Sequence, residues 1–295
     1  MELRGAIVIS TYSRAALFEK CIKSIYGASK NENYQKIIIV QKGNLEILKT
    51  VRQYIDQKTT IVNIDGKNKS ALENICFNYF LALNLAFEVY QCDWVLEIED
   101  DTVISDDTFI FIENIVNKYL NNKKFRGINL GSTNKEVEFN NSYSLLRNSF
   151  HASQGVLTRQ SWKKIKSRRI RKKIGKFPLD WCIENYWKTG FVVTPNISRC
   201  MNYGWVDGTH VSRDPEQDLF IRLMGSWEAY KPQLDFKLKN IEHFWNGNVP
   251  EYESREDLKY FIKYVISFFT QNSLFIELYK RLRNLKRFLL NRPSI

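Results

Sequence analysis

Short apolar runs alternate with longer amphipathic segments over the first half of the chain. The short runs predict buried strands at residues 5–10, 36–41, 60–64, 94–98 and 126–130. The longer segments, in which apolar residues recur every three or four positions, predict helices at residues 14–28, 44–57, 70–90 and 106–120. Strands that alternate with helices usually form a parallel sheet covered on both faces, so the pattern predicts an α/β fold.

The amphipathic pattern also predicts which side chains are buried. In the first helix, Leu17, Cys21, Ile22 and Ile25 recur on one face, and we expect that face to pack on the sheet. The second half of the chain is less regular. Its pattern predicts mixed strands and loops over residues 140–160, followed by helices.

Composition is ordinary for a globular protein, with 44% hydrophobic and 26% charged residues. The five cysteines lack CxxC spacing, which disfavours a zinc site or a disulfide framework and is typical of a reducing compartment. No run reaches the roughly 18 apolar residues that a membrane span needs. The first strand follows the N-terminus directly, which predicts no signal peptide. We therefore expect a cytoplasmic protein.

Three consecutive carboxylates, Glu99, Asp100 and Asp101, follow the apolar strand at residues 94–98. Ligands of open α/β sheets bind at the carboxyl ends of strands, where this triplet lies. Adjacent carboxylates repel one another, so the triplet needs solvent or a cation, and Mg²⁺ or Mn²⁺ is the natural match for oxygen ligands. A solvated turn is the alternative interpretation. No glycine-rich dinucleotide or P-loop motif is present, which disfavours a Rossmann dehydrogenase or a P-loop kinase.

The net charge of +12 predicts an anionic partner. Residues 159–176 form a basic tract that fits either a solvated helix face or an anion-binding surface. Residues 274–289 place leucines on one helical face and basic side chains on the rest, which is typical of a helix lying on an anionic membrane surface. In the alternative interpretation, this terminal helix packs on the domain through its leucines.

Two blocks of motifs, in their order and spacing, carry a family resemblance. The first is the acidic triplet with residues 103–109 after it. The second joins Leu179-Asp180-Trp181 to residues 193–204, which contain Pro195-Asn196-Ile197-Ser198-Arg199, with His210 shortly after. Weaker matches lie at residues 11–14, after the first strand, and at residues 153–155, which the resemblance places in a loop on the acceptor side. The chain resembles the GT-A-fold inverting glycosyltransferases of the N-acetylglucosaminyltransferase I and protein O-mannose N-acetylglucosaminyltransferase family.

The resemblance implies a GT-A fold, a Rossmann-like, mixed and mainly parallel sheet flanked by helices. It implies a catalytic domain at residues 1–250, with a nucleotide-sugar-binding half at 1–131 and an acceptor-side half at 132–250. Residues 251–295 would form a basic, amphipathic helical extension at the C-terminus. The chain departs from the family after the second strand, where Gln41-Lys42-Gly43 replaces an acidic residue that contacts the uracil ring.

The resemblance also implies roles for individual residues. Asp101 would bind Mn²⁺ or Mg²⁺ directly, and His210 would complete the metal site. The remaining candidates would bind the donor, namely Thr11, Arg14, Glu99, Asp100 and Gly155. Two of these residues also have structural interpretations, because Arg14 fits a surface arginine at a helix start and a lone histidine such as His210 is often structural.

Asp180 matches the family position of the general base, which would take the proton from the acceptor hydroxyl. The neighbouring Trp181 would supply an apolar wall that favours the protonated carboxyl. A helix N-cap is the structural interpretation of Asp180, and the two roles are compatible. Glu184, one helical turn later, is the second candidate for the base.

The function predicted by the resemblance is inverting, metal-dependent sugar transfer. The sugar, GlcNAc or a related hexose, would move from a UDP-sugar to a saccharide acceptor of a lipid-linked or surface glycan. The enzyme would be peripheral at the inner face of the membrane, held by its C-terminal helix. The alternatives are a nucleic-acid-binding protein and a membrane adaptor without catalysis. Nucleic acid is disfavoured as a partner because the basic residues are not interleaved with aromatic side chains and the triplet repels phosphate.

Overall fold

The computed structural model of the chain describes residues 3–41, 44–65, 71–131, 143–146, 154–166, 190–195, 198–203 and 251–252. All of these residues belong to the same compact unit of the chain. Apart from its first two residues, the predicted C-terminal extension at 251–295 lies outside this description, as does the basic tract from residue 167 onward.

The described strands form one mixed sheet and one two-stranded sheet. In chain order, they are β1 (Gly5–Thr11), β2 (Gln35–Gln41), β3 (Thr59–Ile64), β4 (Trp94–Glu99), β5 (Thr102–Ile104), β6 (Phe125–Asn129), β7 (Tyr143–Leu146), β8 (Gln154–Thr158), β9 (Phe191–Pro195), β10 (Cys200–Asn202) and β11 (Glu251–Tyr252). The main sheet has the order β11-β7-β9-β6-β8-β4-β1-β2-β3, and β10 pairs with β5.

Strand direction divides the main sheet into two parts. The strands β4, β1, β2 and β3 are parallel to one another, whereas β8 is antiparallel to both β4 and β6. Beyond β8, the strands β6 and β9 are again parallel, and β7 runs against β9. The predicted class, a mixed and mainly parallel sheet flanked by helices, is confirmed.

Helices cover both faces of the sheet. They are α1 (Ala15–Gly27), α2 (Leu45–Tyr54), α3 (Ala71–Asn84), α4 (Thr108–Tyr119) and α5 (Arg159–Ile165), and a π-helical turn (Leu85–Val89) follows α3. The buried residues of α1, α2 and α4 share one core with alternate residues of β1 and β4. The helices α3 and α5 pack on the opposite face, where Trp162 of α5 is fully buried.

Local chemistry explains several helix boundaries. Asn44 begins α2 because its side chain accepts hydrogen bonds from the backbone N–H groups of Glu46 and Ile47, which lack partners within the helix. In the same way, the hydroxyl of Thr158 accepts from the backbone of Ser161 and begins α5. The helix predicted at 70–90 changes type near its end, where the α-helix gives way to the π-helical turn at Leu85.

One side of α1 differs from its predicted pattern. Cys21, Ile22 and Ile25 are buried as predicted, but Phe18 is fully buried and Leu17 is only partly buried. The helix is therefore rotated slightly from the predicted orientation, since the larger aromatic side chain takes the central position against the sheet.

Candidate functional site

The acidic triplet lies at the carboxyl end of a central strand. Glu99 is the last residue of β4, and Asp100 and Asp101 form the turn into β5. The neighbouring strand β1 ends at Thr11, and its turn into α1 reaches the same edge of the sheet. The triplet therefore occupies the position that the sequence predicts for a ligand site.

The small β5–β10 sheet fixes the backbone around Asp101. The three residues after Asp101 pair antiparallel with Cys200–Asn202. The backbone N–H of Tyr203 donates to the carbonyl oxygen of Asp101 at 2.8 Å, and the N–H of Ser105 donates to the carbonyl oxygen of Arg199 at 2.9 Å. The acidic turn is consequently held by strand pairing and backbone hydrogen bonds to residues that follow it by about a hundred positions in the chain.

Arg14 lies across the two aspartates. Its Nη1 donates to Oδ2 of Asp101 at 2.6 Å, and its Nη2 forms a short hydrogen bond to Oδ1 of Asp100. The other oxygen of Asp100 accepts from the hydroxyl of Thr11 at 3.1 Å and from the backbone N–H of Tyr12 at 3.4 Å. Thus Thr11, Arg14, Asp100 and Asp101, all predicted as site residues, lie together.

The two carboxylates are buried, with exposed side-chain fractions of 4% for Asp100 and 5% for Asp101, whereas that of Arg14 is 27%. Burial, with a smaller contribution from the Asp101 carboxylate, raises the pKa of Asp100, and the Arg14 guanidinium offsets that rise only in part. Burial lowers the pKa of Arg14, but the two carboxylates outweigh burial and leave it raised. Two carboxylates and one guanidinium leave the cluster with a net negative charge.

One atom of this cluster is available for a further cation. Oδ1 of Asp101 is buried and has no hydrogen-bond partner among the described residues. A carboxylate oxygen suits Mg²⁺ or Mn²⁺, so the predicted metal ligand fits the group chemically. The described part of the chain contains no group of three His, Cys, Asp or Glu residues arranged to hold a metal ion. Asp101 would therefore need ligands from outside the described residues or from a bound diphosphate.

The other predicted site residues have different outcomes. Glu99 is partly buried, and its backbone carbonyl accepts a hydrogen bond from the thiol of Cys21 at 3.5 Å. The loop predicted at 153–155 is wrong for its last two residues, which begin β8. Gly155 lies inside the main sheet between Glu97 of β4 and Asn129 of β6, where pairing on both sides extends the backbone. Asp180, Glu184 and His210 lie outside the described residues.

Arg199 explains part of the motif at residues 195–199. It is 2% exposed, and its Nε lies 3.3 Å from Oδ1 of Asp107 at the start of α4. Its guanidinium also lies 5.5 Å from the centre of the Phe111 ring, a cation–π distance. The motif therefore joins β10 to α4 and supports the turn that carries Asp101. The sequence marks Arg199 by its motif but does not indicate Asp107 as its partner.

We expect Arg199→Met to reduce the free energy of unfolding by about 3–5 kcal/mol, because Asp107 would lose its cation in a mostly buried site. Lys30→Met is a suitable control, since the Lys30–Glu113 ion pair is more exposed and should contribute only about 0–1 kcal/mol. Urea unfolding of both variants measures the difference. Equal losses in the two variants would show that the buried pair does not support the turn.

The described part of the basic tract favours the helix-face interpretation. Trp162 and Ile165 of α5 are buried, whereas Lys163 and Lys164 are exposed. Arg159 donates to the backbone carbonyl of Phe87 at 2.8 Å, which uses one of the tract's cations within the fold. The helix α5 is therefore a packed amphipathic helix, with Lys163 and Lys164 directed to solvent.

Comparison with known proteins identifies a family for this chain. The sequence pattern of the GNT-I family matches residues 3–238. An α-1,3-mannosyl-glycoprotein 2-β-N-acetylglucosaminyltransferase from Arabidopsis thaliana is 23% identical over 268 residues, which are 85% of this chain and 57% of the relative. The chain therefore spans little more than half the length of this curated relative.

Solved structures of glycosyltransferases are similar at lower levels of identity. The mannosyltransferase PcManGT from Pyrobaculum calidifontis, in complex with GDP-Man and Mn²⁺, is 16% identical, with a TM-score of 0.47 over 71% of this chain and 59% of its own. Residues 1–349 of TarS from S. aureus are 8% identical, with a TM-score of 0.47 over 70% of this chain and 62% of theirs.

Proposed function

The chain belongs to the GNT-I family, and we propose that it is a glycosyltransferase that moves GlcNAc or a related hexose from a UDP-sugar to a saccharide acceptor. The family resemblance drawn from the motifs is thereby confirmed. The observation that carries the proposed activity is the convergence of Asp100, Asp101, Thr11 and Arg14 at the carboxyl ends of β4 and β1.

The donor would lie across these strand ends with its diphosphate near Asp101. In this proposal, Oδ1 of Asp101 holds Mn²⁺ or Mg²⁺, and His210 is a candidate for a second ligand. The metal, when bound, would offset the negative charge that develops on the leaving diphosphate. Thr11 orients Asp100 through its hydroxyl, and the buried carboxylate can then accept a hydrogen bond from the donor's ribose. Glu99 and Gly155 remain proposed donor-binding residues.

Asp180 is the proposed general base. Transfer with inversion needs a base on the side of the sugar opposite the diphosphate, where it takes the proton of the acceptor hydroxyl. The basis for this assignment is the match of Asp180-Trp181 to the family motif. A second family motif follows it in the chain, and Arg199 of that motif pairs with Asp107 at the start of α4. Glu184 is the second candidate.

A panel of nucleotides tests the proposed donor. We expect UDP and UDP-GlcNAc to raise the melting temperature in the presence of Mn²⁺, because ligands that bind only the folded state stabilise it. EDTA should reduce that shift. GDP and GDP-Man belong in the panel because Gln41-Lys42-Gly43 replaces the acidic residue by which family members contact the uracil ring. The side-chain oxygen of Gln41 accepts a hydrogen bond from the side-chain amide of Asn78 instead. A shift with GDP alone would replace UDP in this proposal, and no shift with any nucleotide would contradict it.

The acceptor is proposed to be a saccharide of a lipid-linked or surface glycan, reached by docking of residues 274–289 on an anionic membrane. None of the described helices is both long enough and apolar enough to span a bilayer. Each basic residue near an anionic surface contributes about 1 kcal/mol, so the five basic side chains of this segment would hold the protein reversibly.

Deleting residues 272–295 should remove co-sedimentation with anionic liposomes while activity on a short soluble acceptor is retained. The full-length protein should also leave the liposomes at high salt, since the attraction is electrostatic. If the segment instead packs on the domain, the truncated protein should unfold more easily and sediment as the full-length protein does, which would contradict membrane docking.

A further inference from the structure

We propose that Arg14 is an internal counter-ion that blocks free divalent cations from the acid pair and transfers to the donor's diphosphate when the donor binds. This inference rests on the proposed function of the site and adds the order in which metal and nucleotide bind. A free metal ion would bind poorly to the protein alone, and the metal would enter together with the nucleotide.

Arg14 supplies the acid pair with the positive charge that a metal ion would otherwise supply. The two arms of its guanidinium reach one oxygen of Asp100 and one oxygen of Asp101. A planar guanidinium matches two oxygen acceptors at once, which a lysine ammonium cannot do in the same way. The acid pair therefore has a cation whether or not a metal is bound.

Arg14 and a divalent cation compete for the carboxylate of Asp101. Oδ1 of Asp101 has no hydrogen-bond partner in the part of the chain that the structure describes. A divalent cation on this oxygen would stand beside the guanidinium that holds Oδ2 of the same carboxylate. Like charges this close repel strongly in a buried site, where the effective dielectric constant is low. Arg14 must therefore weaken the binding of a free cation to Asp101 for as long as the bridge persists.

The diphosphate offers Arg14 an alternative partner. Arginine forms paired hydrogen bonds with phosphate oxygens as readily as with carboxylates. Arg14 lies in the β1–α1 turn with 27% of its side chain exposed, whereas the two aspartates are almost fully buried. The guanidinium is thus the member of the cluster that an incoming anion can reach, and its movement would release Asp101 for the metal.

This arrangement makes metal and nucleotide binding mutually dependent. If the nucleotide draws Arg14 away, it increases metal affinity, and by thermodynamic linkage the metal increases nucleotide affinity by the same factor. Removing the guanidinium should increase the affinity for free Mn²⁺ by about tenfold, within the usual range of such couplings. The same change should reduce the factor by which UDP strengthens Mn²⁺ binding.

Electron paramagnetic resonance of free Mn²⁺ measures both effects on the whole chain, with Mn²⁺ alone and with Mn²⁺ plus UDP. We expect Arg14→Gln to bind Mn²⁺ about tenfold more tightly than the wild type when no nucleotide is present. Lys23→Gln removes the same charge from an exposed position of α1 and should bind Mn²⁺ as the wild type does. The titration without nucleotide does not depend on the identity of the donor, so it separates this inference from the proposed function.

Unchanged or weaker Mn²⁺ binding by Arg14→Gln would overturn the inference, as would an equal gain in Lys23→Gln. If Arg14→Gln does not fold, as judged by its melting curve, Arg14→Lys decides the question, because lysine keeps the charge but cannot form the two-armed bridge. If Arg14→Lys binds Mn²⁺ more tightly than the wild type, by less than tenfold, the result supports the counter-ion role. If Arg14→Lys binds Mn²⁺ no more tightly than the wild type, the result overturns it. If the wild type does not bind UDP, that result contradicts the proposed function and not the counter-ion role of Arg14.

Discussion

Asp101→Asn should lower sugar transfer by about a hundredfold or more, because a metal bound to the leaving diphosphate contributes several kcal/mol to the transition state. The substitution keeps the shape of the side chain but removes the charge that Oδ1 would offer to the cation. The Mn²⁺-dependent stabilisation by UDP should disappear as well. Initial rates and melting curves with Mn²⁺ and UDP measure the two effects.

Asp106→Asn is a matched control for this variant. Asp106 is exposed, follows Asp101 by five positions, and receives hydrogen bonds from Ser29 that an asparagine oxygen can still accept. The control should therefore retain activity within a few-fold. Turnover of Asp101→Asn at the wild-type rate would exclude a metal held by Asp101, and so would full wild-type activity in EDTA.

Asp180→Asn should lower turnover by about a hundredfold or more, the usual effect of losing a general base, while the donor still binds. Asparagine is nearly the same size as aspartate and can also cap a helix, so the substitution separates catalysis from capping. Steady-state kinetics gives the turnover, and the melting shift with UDP and Mn²⁺ reports donor binding.

Glu184→Gln tests the competing assignment of the base. We expect it to lose activity only a few-fold, because the family motif places the base at Asp180. A hundredfold loss in Glu184→Gln together with a small loss in Asp180→Asn would move the role to Glu184. Loss of donor binding in Asp180→Asn would indicate a structural role for that residue.

The first half of the fold follows from the sequence because its core strands are short, apolar and separated by amphipathic helices. The strands β1 to β4 and β6 lie within one or two residues of their predicted positions. The β5–β10 sheet is different. A strand of three residues has no measurable periodicity, and its partner is distant in the chain, so pairing of this kind cannot be read from local pattern.

The acidic site is also only partly predictable. Three adjacent carboxylates require a cation, and the sequence offers both a metal and Arg14 without deciding between them. The bridge from Arg14 depends on β1 and β4 being neighbours in the sheet, which brings together residues 86 and 87 positions apart. The resemblance places Gly155 in a loop, but strand pairing on both sides places it in β8. Asp180 and His210 rest on motif matches alone.

Release of UDP from UDP-GlcNAc, followed by chromatography in the presence of a saccharide acceptor and Mn²⁺, tests the central claim most directly. The proposed function predicts that UDP and a glycosylated acceptor form in equal amounts, that EDTA stops both, and that Asp101→Asn forms neither at a comparable rate. Failure of the wild type to release a nucleoside diphosphate from any nucleotide-sugar, with Mn²⁺ or Mg²⁺ present, would contradict the account.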